Sequence, residues 1–219
     1  MRNRSMDAEL RERARQVIPN GMYGHESVRL LPAEFPQFFK SAKGARIRDV
    51  DDNEYIDYIC AYGPNLFGYG HEAIERAASA QRELGDTMNG PGAPMVEFAE
   101  AMVAQITHAD WAMFCKNGSD ATSMALVVAR AYRGKRKILV AKGTYHGAAP
   151  WCTPYPGGIL PEDRAHIVYF DHNDEQSLAD AVRANEGDIA GIIATPFRHE
   201  VFADQFEPGA DYAATARRL

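Results

Sequence analysis

Apolar and polar positions follow two different rhythms along the chain, and the change falls near residue 111. In residues 6–18, Leu10, Ala14, Val17 and Ile18 recur at helical spacing, and Pro19-Asn20-Gly21 closes the predicted helix. A polar, glycine-containing loop is expected to about residue 43. The alternation in ARIRDVDDNEYIDYI then predicts a hairpin of two short strands around Asp51-Asp52-Asn53. Helices are expected at 72–84 and 95–106, separated by the Gly/Pro-rich DTMNGPGAP loop.

Beyond residue 111 the apolar runs shorten and become continuous. WAMFC (111–115), KILVA (137–141), HIVYF (166–170) and DIAGIIAT (188–195) read as buried strands. Between them lie predicted helices over ATSMALVVARAYRG, closed by Gly134, and over 175–185; a last helix covers 211–219. Strands alternating with helices define an α/β class, with parallel βαβ units and helices on both faces. Ligands of such sheets bind beyond the carboxyl ends of the strands. The loops after Cys115, Ala141, Phe170 and Thr195 are therefore expected to share one rim. Residues 1–65 are expected to form a helix, loop and hairpin segment, and 66–219 a larger α/β domain.

Composition narrows the function classes. The 219 residues are 46% hydrophobic and 25% charged, an ordinary globular balance. A net charge of −6 gives no basis for nucleic-acid or anionic-membrane binding. No apolar run approaches the roughly 20 residues of a spanning helix, and the basic N-terminus lacks the apolar stretch of a secretory signal. Cys60, Cys115 and Cys152 are too widely spaced for a CxxC metal site, and no metal is expected. A cytoplasmic protein is the expectation.

Two rim segments carry candidate chemistry. Asn117-Gly118-Ser119-Asp120 lies between a strand and a helix. Gly118 admits a ligand close to the backbone, and the helix start with the Ser119 hydroxyl suits a phosphate. The alternative is that Ser119 merely caps the helix while Asp120 complements its dipole. Gly143-Thr144-Tyr145-His146-Gly147 follows the next strand. Its Tyr145 could stack on a flat heteroaromatic ring, and His146 could orient that ring, approach the substrate, or simply satisfy local backbone groups. Together the two loops suit an aromatic phosphate cofactor such as pyridoxal 5'-phosphate (PLP).

These segments, with Ile18-Pro19-Asn20-Gly21, Ser27-Val28-Arg29, the 49–58 hairpin, Tyr62-Gly63-Pro64 and Gly70-His71, resemble class III PLP-dependent aminotransferases in order and spacing. The likeness is strongest to the glutamate-1-semialdehyde aminomutase-like branch. It implies the N-terminal part of a fold type I PLP-dependent transferase, with a partial large domain preceded by the helix and hairpin. It implies an aminotransferase or amino-group shift through an external aldimine, with an amino-acid or amine substrate and a keto or aldehyde acceptor. By position, Gly118 and Ser119 would hold the cofactor phosphate, Tyr145 would stack on the ring, and His146 would neighbour it. Tyr62 would line the substrate side, Arg29 would receive a substrate carboxylate, and a homodimer would be expected.

The pattern also departs from that family. The aspartate expected beside the pyridine nitrogen and the Schiff-base lysine are not in the sequence; none of Lys40, Lys43, Lys116, Lys135, Lys137 and Lys142 has a matching context. Glu26-Ser27 replaces a Ser-Pro pair, Asp120 a glutamate, and Thr195-Pro196-Phe197 a Glu-Pro pair. The expectation is a chain that by itself binds PLP weakly, if at all, and does not turn over. The competing reading is a non-catalytic binding or assembly domain on the same scaffold.

Overall fold

A computed structural model describes residues 3–22, 32, 34–86, 88–154, 157–198 and 207–219. The chain divides into two compact units, residues 1–105 and 106–219, where the sequence had suggested a division at 65/66.

The first unit begins with α1 (Ser5–Val17), followed by a 3-10 turn at Pro19–Gly21. Three short antiparallel strands follow in the order β1 (Phe39–Lys43), β2 (Arg46–Asp49), β3 (Glu54–Ile56). The β2–β3 hairpin stands where the alternation put it. Strand β1 lies within the stretch read as loop: FKSAK has no apolar rhythm, and its strand character comes from pairing Ala42 with Ile47 and Lys43 with Arg46. The hairpin turn closes on Asp49, whose buried carboxylate accepts from the backbone N–H of Asp51 and Asn53, the Asn53 amide and the Tyr55 hydroxyl. Burial alone would raise that carboxyl's pKa; the four hydrogen bonds outweigh it and hold it below the ordinary value. Helices α2 (Glu72–Leu84) and α3 (Ala93–Gln105) complete this unit, and neither contains a fully buried residue.

The second unit is built on a parallel sheet ordered β5 (Ile167–Phe170), β4 (Lys137–Ala141), β6 (Ile189–Ile193). Central β4 is apolar on both sides, as its continuous apolar run requires. Leu139 and Ala141 pack with Phe170, Leu178 and Tyr212, on the side of α5 (Glu175–Ala184) and α6 (Ala210–Arg218). Ile138 and Val140 pack with Ala190 and with Leu126 of α4 (Gly118–Arg133). Helices thus cover both faces, and Gly134 closes α4 in the left-handed conformation at φ 60°.

The fourth expected strand is not formed. Residues 111–115 make no ladder with any described residue, and Trp111 and Met113 are 65% and 49% exposed. An apolar run becomes a strand only when another strand satisfies its backbone groups. That condition is tertiary and is not written in the run itself.

Candidate cofactor site

The loops after β4, β5 and β6 meet at the carboxyl end of the sheet. The Lys142 ammonium lies 2.9 Å from an Asp171 carboxylate oxygen, holding that carboxyl below its ordinary pKa. His172 Nε2 lies 3.2 Å from the Thr195 carbonyl. The start of α4 abuts the same rim through the loop after β4, so the two segments singled out in the sequence do come together.

Asn117, not Ser119, caps α4. Its side-chain oxygen accepts from the Asp120 N–H at 2.9 Å, and its amide donates to the Asp120 carboxylate at 2.9 Å. This reciprocal arrangement turns Asp120 back toward Asn117 and removes the capping alternative for Ser119. No described residue accepts from the N–H of Gly118 or Ser119. A helix start with two such donors is electropositive and suited to an anion.

The loop 143–151 is clasped to this turn. The Ala148 N–H donates to Ser119 Oγ at 3.0 Å, leaving the hydroxyl proton to be offered elsewhere. Thr122, one turn along α4, donates its hydroxyl to the His146 carbonyl at 2.7 Å. The approach is close enough to demand glycine at 147, where φ is +115° and a Cβ would lie 2.4 Å from Ser119 Oγ. Gly143 similarly lets Arg198 lie over the backbone: a Cβ there would sit 2.7 Å from Arg198 Nε.

Within this loop the two aromatic neighbours part company. Tyr145 is 42% exposed, whereas His146 is buried. The Thr144 hydroxyl has one proton and donates it to the Ala141 carbonyl at 2.6 Å, so its 2.8 Å contact with His146 Nε2 must be donated by the imidazole. Burial lowers the pKa of His146 and keeps it neutral, as the Nε2–H tautomer. Its ring stacks on Trp151 at 6.0 Å between centroids, and the Trp151 indole N–H donates to Ser123 Oγ at 3.0 Å. The described partner of the His146 imidazole is thus the Thr144 side chain rather than a local backbone group. Sequence reasoning missed Thr122, Ser123 and Trp151; helical spacing from Ser119 was the one available signal for the first two.

Tyr62 belongs to the first unit. It is 78% exposed and ends a left-handed turn in which Cys60, Ala61 and Tyr62 have φ of 51°, 49° and 62°. Such residues cost about 1 kcal/mol or more each. Asp57 holds the turn, accepting from the N–H of Ile59 and Cys60 and from the Tyr69 hydroxyl. Arg29, with Ser27 and Val28, lies outside the described residues. Among the described residues no group of three or more His, Cys, Asp or Glu could hold a metal, and no helix is long and apolar enough to cross a membrane.

A parallel sheet with an electropositive helix start and an aromatic loop on one rim defines an α/β scaffold whose rim suits a phosphate-bearing ligand. Residues 31–155 match the family model "Aminotransferase class-III", and the chain belongs to that family. The chain is 62% identical over 218 residues to aminopentol aminotransferase of Sphingopyxis macrogoltabida, covering 100% of this chain and 52% of the relative. It is 37% identical over 232 residues to a glutamate-1-semialdehyde 2,1-aminomutase of Francisella philomiragia, covering 100% of this chain and 53% of the relative. Among solved structures, the PLP internal aldimine form of the FumI protein of Sphingopyxis sp. MTA144 superposes with a TM-score of 0.93 at 63% identity, over 97% of this chain and 51% of that one. The chain spans about half the length of the relatives it matches.

Proposed function

We propose that this chain anchors PLP for an aminotransferase acting on a polyhydroxylated amine, and that the remaining catalytic groups lie outside this sequence. The observation that carries the cofactor reading is the pair of N–H groups at Gly118 and Ser119 that donate to no described residue, with the Ser119 hydroxyl proton beside them. The substrate class rests on the 62% identity to a protein named for an aminopentol.

When bound, PLP supplies an electrophilic aldehyde and an electron sink. In this reading the Gly118 and Ser119 amides and the Ser119 hydroxyl bind the phosphate, and Asp120 stays out of the way on Asn117. Tyr145 lies against the ring, while His146 supports the loop from within. Tyr62 and Arg29 address the substrate, and a second copy completes a homodimer. Lys142 is engaged with Asp171 and is not assigned as the Schiff-base residue.

The test is an NMR titration of the chain with PLP and with inorganic phosphate, following the Gly118 and Ser119 amide resonances. Both ligands should shift those resonances, and Ser119→Ala should weaken binding about tenfold, the range of one charge-assisted hydrogen bond. Borohydride reduction should leave no stoichiometric adduct on Lys116 or Lys142. Unmoved Gly118 and Ser119 resonances would favour the non-catalytic binding or assembly reading.

A further inference from the structure

Between the exposed Tyr145 and the body of α4 lies a chain of contacts that the cofactor reading does not use. Trp151 stands at its end. The indole N–H donates to Ser123 Oγ at 3.0 Å, and its ring stacks on His146 with planes 21° apart. Ser123 is one helical turn beyond Ser119, so this hydrogen bond ties the far end of the loop to the helix that presents the phosphate donors. His146 in turn is fixed by Thr144 at its Nε2 and by Thr122 at its carbonyl.

Those contacts bracket the two atoms that matter. Tyr145 immediately precedes His146. The Ala148 N–H, which donates to Ser119 Oγ and leaves its hydroxyl proton to be offered elsewhere, lies between His146 and Trp151. A loop held at His146 and at Trp151 has little freedom left at 148. A loop released at Trp151 can swing Ala148 away from Ser119, and the hydroxyl then loses the partner that orients it.

From this geometry we infer that Trp151, bolted to Ser123, is a positioning residue for the cofactor site: it fixes the aim of the Ser119 hydroxyl and the placement of Tyr145 without touching the cofactor. The inference rests on the proposed cofactor reading. It goes beyond that reading in assigning a role to a residue outside both rim segments.

The experiment uses Trp151→Phe, which keeps a stacking ring but loses the N–H, with Ser123→Ala and the conservative Ser123→Thr. Two quantities are read on each: hydrogen exchange at the Ala148 amide, and the dissociation constants for inorganic phosphate and PLP from the Gly118 and Ser119 resonances. Trp151→Phe and Ser123→Ala should speed exchange at Ala148 and weaken both ligands by about three- to tenfold, the range of one lost hydrogen bond. Ser123→Thr should match the wild type, and the β4–β6 amide resonances should remain in place. Faster exchange with unchanged affinities would reduce Trp151 to a structural residue and overturn the assignment, as would no change in either quantity. A wild-type chain that binds neither ligand would overturn the cofactor reading and this assignment with it, a result read before any variant is made.

Discussion

His146 shows how much a single side chain's role depends on its surroundings. As a letter beside Tyr145 it is a candidate for the cofactor pocket; in the fold it is a neutral donor to Thr144, enclosed against Trp151. Because burial lowers its pKa, the unfolded chain binds a proton that the folded chain does not, in the interval below the ordinary histidine value of 6.5. The stability contributed by neutral His146 is therefore complete above that value and declines as pH falls below it, by at most about 1.4 kcal/mol per pH unit for one proton. Thermal unfolding followed from pH 7.5 to 5 should show this decline, and His146→Gln, which retains an amide donor, should flatten it. An equally steep decline in the variant would place the responsible group elsewhere. Asn117 and Ser119 give the complementary lesson: both are good capping residues by type, and only the bond to the Asp120 N–H decides between them.

The hydrophobic rhythm located α1, α2, α4, α5, β4 and the β2–β3 hairpin to within a few residues, because burial of one face or both is what that rhythm records. It failed at β1 and at 111–115, where pairing rather than burial decides. A less visible dependence links α1 to the hairpin. Arg4 provides no side-chain cap for this helix. Instead the Asp51 carboxylate, from the β2–β3 turn, accepts from the N–H of Met6 and Asp7, each at 2.9 Å. Asp7 then accepts from the N–H of Gln37 and Phe38 and from the Arg11 guanidinium. Asp51→Ala should cost about 1 kcal/mol, the usual value of an N-cap, and should speed amide exchange at Met6 and Asp7 while leaving α4 unaffected. Unchanged exchange at those two amides would show that the turn carboxylate does not cap the helix in solution.

On the scale of the whole chain, apolar side chains are left uncovered on several elements. Trp111, Val127 and Tyr132 are 65%, 55% and 87% exposed, and an open groove of about 430 Å³ runs past Trp111, Met124 and Tyr132. Apolar patches of this kind draw partners or copies together. The chain should therefore run above its monomer mass by light scattering at micromolar concentration, and Trp111→Glu with Val127→Lys should shift it toward the monomer. A monodisperse wild-type monomer would refute this and weaken the proposed homodimer.

The amino-acid sequence by itself determined the α/β class, most element positions and the two rim segments, since periodicity and turn chemistry depend only on neighbours along the chain. The tertiary structure alone decided that β1 exists and that 111–115 pairs with no described strand. It also decided that Asn117 caps α4, that His146 turns inward while Tyr145 does not, and that Trp151 reaches Ser123. Trp151–Ser123 joins residues 28 apart, whereas the Asn117 cap and the β1–β2 pairs join near neighbours whose side chains offer several equally good local partners. In each case several partners fit the local pattern, and the fold selects among them because it alone fixes which groups are buried and aligned.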